Sequence, residues 1–149
     1  MEDVLSGVVT YLKAADTLNR FRVIDYSEML DDMIHSNKTP FIDVVGTRVS
    51  ETPLAGFKPA KARRGKYYIT LIIVQDKKVL REVLKGSESI WGLKKYLTGL
   101  INADSTFGGI VQGLAFDENI DSEIVTLKKD NSVKLALEVK LVLFKDIFN

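Results

Sequence analysis

The residues able to do chemistry in this chain are few and scattered. His35 is its single histidine, and it has no cysteine. Zinc sites draw on clustered Cys and His, so a lone His near the end of a helical segment makes a poor metal site. Glu28, Asp31 and Asp32 form the densest acidic group. Paired carboxylates run acid–base chemistry only when they converge in a pocket, and adjacent residues on a helix point about 100° apart. They read as a solvated face. Asp117, Glu118 and Asp121 carry oxygens suited to a hard cation, but the calcium-loop pattern is missing. No serine stands in a nucleophile elbow. Gly56 and Gly65-Lys66-Tyr67 have the wrong spacing for a Walker phosphate loop, and Tyr67 stands where that motif needs Ser or Thr. Gly108-Gly109 alone is a weak phosphate signal. The sequence predicts no enzyme, no metal and no cofactor.

The most informative polar feature is a run of cations. Lys58, Lys61, Arg63, Arg64 and Lys66 follow one another with no acid between them. Arg64-Gly65-Lys66-Tyr67 faintly echoes the start of an RNA-recognition RNP1 motif, but Lys66 replaces its first aromatic and Tyr68 its small residue. Three readings of the run stay open. It is a solvated loop, or it docks on an acidic patch of a neighbouring subunit, or it lines a passage for DNA, since cations bind phosphates without reading sequence.

The totals set the frame for these residues. At 149 residues the chain is long enough for one domain with a core. A formal net charge of +1 supplies no global field toward nucleic acid or membrane. The absence of cysteine excludes disulfides and fits a reducing compartment. Met1-Glu2-Asp3 does not open a signal peptide, and no run of about 18 apolar residues predicts a membrane span.

Val133 to Phe144 is the clearest element. Val133, Leu135, Leu137, Val139, Leu141 and Leu143 alternate with Lys134, Glu138 and Lys140, a period of two that predicts a long strand. Tyr67 to Val74 is rich in β-branched and aromatic residues and predicts a central strand. Phe41 to Val45 predicts another, opened by Pro40, with Gly46 as a turn or bulge. Phe21 to Ile24, Ile110 to Phe116 and Ile120 to Lys128 read as further strands, with Asp117-Glu118-Asn119 as a hairpin loop. Val79 to Leu84 fits helix or strand equally.

Two main helices are predicted. Glu2 to Leu18 carries a stripe of Val4, Leu5, Val8, Leu12 and Ala15, with Asn19 as its stop. A second, through about Asn102, carries Ile90, Leu93, Leu97 and Leu100 behind a cap at Ser87 or Ser89. A short helix from Ser27 to about His35 is also expected. Residues 50–66, broken by Pro53, Gly56, Pro59 and Gly65, read as a long irregular basic loop. The sum is one α+β domain over residues 1–149, a mostly antiparallel sheet of about four to five strands with two helices on one face.

This succession resembles the tail-terminator and tail-completion proteins of long-tailed bacteriophages, including minor tail and head–tail joining relatives. The resemblance rests on the leading helix, Pro40-Phe41-Ile42-Asp43-Val44 and the Pro/Gly-punctuated loop before Tyr67 to Val74. It continues through the helix Ile90 to Ile101, Asp104-Ser105-Thr106-Phe107-Gly108-Gly109, a strand pair and the final alternating strand. It implies a subunit that assembles as a homo-oligomeric ring, typically a hexamer, on the head-proximal end of a tail tube. The ring ends tube growth and presents a surface for head–tail joining. The implied partners are the tail tube protein, a neck or head-completion protein and DNA in passage, with no membrane. The implied place is the virion tail or neck, after assembly in the host cytoplasm. That family has no active site to carry over. A ring needs two different patches per subunit, and the loop with Lys58, Lys61, Arg63, Arg64 and Lys66 is the expected site of one. Another ring-forming tail-tube or neck connector subunit is the alternative, and a nucleic-acid-binding module using the loop is a further one.

Overall fold

The computed structural model describes residues 1–24, 40–54, 62–76, 89–116, 124–129 and 132–148. The elements run α1 (Glu2–Ala15), β1 (Arg22–Ile24), β2 (Phe41–Pro53), β3 (Ala62–Asp76), α2 (Ile90–Ala103), β4 (Gly113–Phe116), β5 (Ile124–Lys129) and β6 (Ser132–Phe148). The fold is α+β. Among the described residues one sheet holds six strands in the order β1-β2-β3-β6-β4, with β5 also paired to β6. β1 lies parallel to β2. The other pairings are antiparallel, so the sheet is mixed and has more strands than the sequence predicts.

The alternation of apolar residues decides which face the helices cover. In the β3–β6 ladder Tyr67, Ile69, Leu71 and Ile73 lie opposite Leu143, Leu141, Val139 and Leu137. Directly opposed residues share a face, and all eight of these are buried. Ile42 and Val44 continue that face onto β2. Val4, Leu5, Val8, Val9 and Leu12 of α1 and Ile90, Leu93, Leu97 and Ile101 of α2 complete the same core. Phe41, Val74 and Ala136 form a smaller cluster on the opposite face.

Local chemistry sets the helix ends. Glu2 and Asp3 stand in the first turn of α1 and Lys13 in its last, matching the helix dipole. Ser89 caps α2, its hydroxyl accepting the Gly92 N–H at 3.0 Å. After α2 the Asp104 carboxylate accepts N–H bonds from Thr106 and Gly108, each at 3.0 Å, and a bond from the Thr106 hydroxyl. These bonds hold the Asp104 carboxyl below its usual range, the Thr106 hydroxyl being the largest cause. The turn they fix brings Phe107 edge-on to Tyr11, with ring centroids 5.3 Å apart. Tyr11 also donates to the Leu100 carbonyl at 2.6 Å, joining α1 to α2.

Several boundaries differ from expectation. α1 ends at Ala15 rather than Leu18, and Asn19 follows with a φ of 52°. Residues 110–112 are turn rather than strand, so β4 is only Gly113–Phe116. β4 and β5 do not form the expected strand pair. Both join the same side of β6, β4 opposite Leu141–Phe144 and β5 opposite Ser132–Leu137. The expected Ser27–His35 helix, the Val79–Leu84 segment, Ser87 and the Asp117–Asn119 loop lie outside the described residues.

Gly7 sits inside α1, where it lowers helix propensity by about 1 kcal/mol relative to Ala. Its role is spatial, because a Cβ there would come within 2.6 Å of Ile110 Cγ1. Gly7→Ala is therefore expected to lower stability by about 1–3 kcal/mol through overpacking. A raised midpoint in urea unfolding would show that Ile110 yields freely. Leu137→Ala, at a side chain with no exposed surface, is expected to cost about 2–5 kcal/mol in the same measurement.

Candidate interaction surface

Of the expected loop over residues 50–66, residues 50–53 and 62–66 are strand, and residues 55–61 lie outside the described residues. β2 continues through Pro53 and β3 begins at Ala62, in register from Val49↔Tyr67 to Pro53↔Arg63. The Leu54 N–H still donates to the Ala62 carbonyl at 3.0 Å. Lys58 and Lys61 lie outside the described residues, whereas Arg63, Arg64 and Lys66 are on β3. Gly65 and Pro53 suggested a break. In the structure Pro53 is the last residue of an outer strand, where a missing N–H does little harm. Gly65 is a packing glycine: a Cβ would meet the Tyr67 ring at 2.8 Å and the Lys145 carbonyl oxygen at 3.3 Å.

Strand geometry divides the predicted basic patch. Successive residues point to opposite faces, so Arg63 lies on the helix-bearing side and Arg64 and Lys66 on the other. Arg63 Nη1 reaches Glu51 Oε2 at 3.3 Å. Arg64 faces Asp146 directly across the ladder and donates to both of its carboxylate oxygens, at 2.8 and 3.2 Å. The forked bond, followed by the Arg64 charge, holds the Asp146 carboxyl below its usual range and raises the Arg64 guanidinium in turn. Two of the three described cations thus spend their charge within the chain. Lys66 instead lies over the Phe144 ring, 5.9 Å from its centroid.

The side of the sheet away from the core carries cations that the sequence reading left out. Arg48 is exposed and lies over the ring of Tyr68, its directly opposed partner, at 4.1 Å. Lys140 stands opposite Thr70 and approaches Glu138 at 3.7 Å. Thr47, at the bulge between Gly46 and Arg48, donates its hydroxyl to the Tyr68 carbonyl at 3.1 Å. Thr47, Arg48, Tyr68, Thr70 and Lys140 line an open concavity of about 420 Å³. The period-two pattern of Tyr67 to Val74, continued back to Ala62 and across to β2, is the signal that would have grouped them.

The lower end of the sheet is tied to α1. Lys145 Nζ binds Asp3 at 2.8 Å, and that hydrogen bond holds the Asp3 carboxyl below its usual range despite partial burial. Burial, followed by the charge of Asp3, raises the Tyr67 hydroxyl. Asp16 at the other end of α1 is nearly buried and accepts three bonds. They come from the Arg20 N–H at 3.1 Å, the Phe21 N–H at 3.2 Å and the Tyr96 hydroxyl at 2.8 Å. With those partners Asp16 acts as a brace between α1, β1 and α2. Among the described residues no cluster of His, Asp and Glu is placed to hold a metal ion, and no helix is long and apolar enough to cross a membrane.

No protein-family model matches the chain, and no curated protein matches it.

The Arg64–Asp146 fork has a readable consequence. A carboxyl whose folded pKa is depressed stabilises the fold above its unfolded pKa, and that contribution disappears as pH falls through the folded value. Carboxyl NMR titration is expected to give Asp146 a midpoint below the usual Asp range, returning toward it in Arg64→Gln. An Asp146 midpoint unchanged by the substitution would mean that the fork does not form in solution.

Proposed function

We propose that the chain is a structural subunit that assembles as a ring on the head-proximal end of a bacteriophage tail tube. There it ends tube growth and offers the surface for head–tail joining. The observation that carries this reading is the pair of unlike sheet edges. On one side β1 pairs only with Phe41 to Asp43 of β2. From Val44 to Pro53 no strand among the described residues pairs with the outer side of β2. On the other side lies the edge made by β4 and β5. A closed ring joins one patch of each subunit to a different patch of the next, and unpaired strand edges are ready templates for such addition. The succession of elements that resembles tail terminators supports the same reading. Its partners are further copies of itself, the tail tube protein and a neck or head-completion protein.

Disrupting the gene in its parent phage and imaging the lysate tests this directly. Overlong or ragged tails, or tails and heads left unjoined, are the expected outcome. A lysate without tails would assign the chain to the alternative, a tube or connector subunit needed earlier in assembly. Normal infectious particles would overturn both readings.

A further inference from the structure

The sheet side away from the helices carries both signs of charge, with Asp146 and Glu138 in the two rows that flank a stretch of cations. Three successive rows cross β2, β3 and β6: Ser50, Lys66 and Phe144; Arg48, Tyr68 and Val142; Val45, Thr70 and Lys140. They hold three cations and no acid, in a chain whose formal net charge is +1. Rows along a strand pair lie about 6.6–6.8 Å apart and strands about 4.8 Å apart. On those spacings the backbone positions around Tyr68 and Thr70 are roughly 8 Å apart for Arg48 and Lys66, roughly 12 Å for Arg48 and Lys140 and roughly 14 Å for Lys66 and Lys140. Neither Arg48 nor Lys66 forms an ion pair among the described residues, whereas Lys140 approaches Glu138 of the next row at 3.7 Å. Arg48 is presented in a fixed attitude, because stacking on Tyr68 occupies the flat side of its guanidinium and leaves the N–H edge available.

We propose that this face binds the phosphate backbone of nucleic acid without reading sequence, through Arg48, Lys66 and Lys140. A guanidinium edge fits phosphate in a forked geometry, and the two lysines add point charges. The patch lacks the buried apolar anchor on which protein interfaces concentrate their energy. The rings of Tyr68 and Phe144 are themselves covered by Arg48 and Lys66, so base stacking contributes little. What remains is spaced positive charge, which suits a ligand with evenly repeated negative charge. This inference does not depend on ring formation, because the face is complete within one subunit.

The test is fluorescence anisotropy with labelled single- and double-stranded 20-mers of unrelated sequence, from 25 to 200 mM salt. Binding to all sequences alike is expected, with log K falling against log salt at a slope of about −2 to −3 for three phosphates. Arg48→Gln, Lys66→Gln and Lys140→Gln should each reduce the slope by about one, whereas Arg48→Lys should keep it. Circular dichroism melting of each variant separates lost binding from lost fold. Absence of binding at 25 mM salt, or a slope indifferent to all three neutralisations, overturns the proposal. Equal competition by poly-glutamate also overturns it, and would assign the face to an acidic protein partner.

Discussion

The β3–β6 ladder is the constraint on which the rest of the structure depends. It pairs every residue of β3, from Ala62↔Phe148 to Asp76↔Lys134. Because side chains alternate strictly, this one register sorts two long strands into an apolar face and a polar one. A slip of β6 by one residue against β3 would turn Leu137 and Leu141 outward and Lys140 into the core. The helices add to that decision without making it. Val8 and Leu12 of α1 and Leu93 and Leu97 of α2 have a place to pack because the ladder has already presented a continuous apolar surface. The ladder is also fastened at both ends by ion pairs across it, Arg64–Asp146 at one end and Asp76–Lys134 at the other. Lys134 is buried there, so it depends on Asp76 far more than an exposed lysine would.

The fold was legible in the sequence where one signal acted alone. In β6 the apolar period of two has no competing period, so the expected strand falls short by only one residue at its start and four at its end. The central place of β3 follows from β-branched residues on both of its faces. The cap at Ser89 and the bulge after Gly46 each follow from local backbone chemistry. Reading failed where composition and geometry conflict. Pro53, Arg63, Arg64, Gly65 and Lys66 have the composition of a loop, yet they lie in two paired strands. Gly65 is required by the Tyr67 ring and the Lys145 carbonyl, and neither neighbour is visible from local sequence. The described part of the expected basic patch is divided for the same reason. As a loop it is a single cluster, but as a strand it sends Arg63 to one face and Arg64 and Lys66 to the other.

Long-range pairing is the other part that local patterns do not carry. Two short strands separated by Asp117-Glu118-Asn119 suggest a hairpin. Instead β4 and β5 run in the same direction along one side of β6, opposite Leu141–Phe144 and Ser132–Leu137. Residues 117–123 intervene where β6 advances only through 138–140. The choice follows from β6 itself, which is apolar and long enough to offer both segments a partner. A hairpin between β4 and β5 would have left that side of β6 open.

The two edges of the sheet consequently differ in kind. The β4–β5 edge is divided into strands of four and six residues, so it offers two short segments for addition instead of one continuous strand. β2 is thirteen residues long and exposed over most of its second half. Its bulge between Gly46 and Arg48 increases the local twist there. That bulge also shifts the alternation by one, which places Arg48 rather than Thr47 opposite Tyr68. Without the shift, Thr47 would occupy the position facing the ring and Arg48 would turn toward the helix side. The same irregular residue thus shapes the open edge and fixes the orientation of the most exposed cation beside it, so edge and face are products of one local departure from regular pairing.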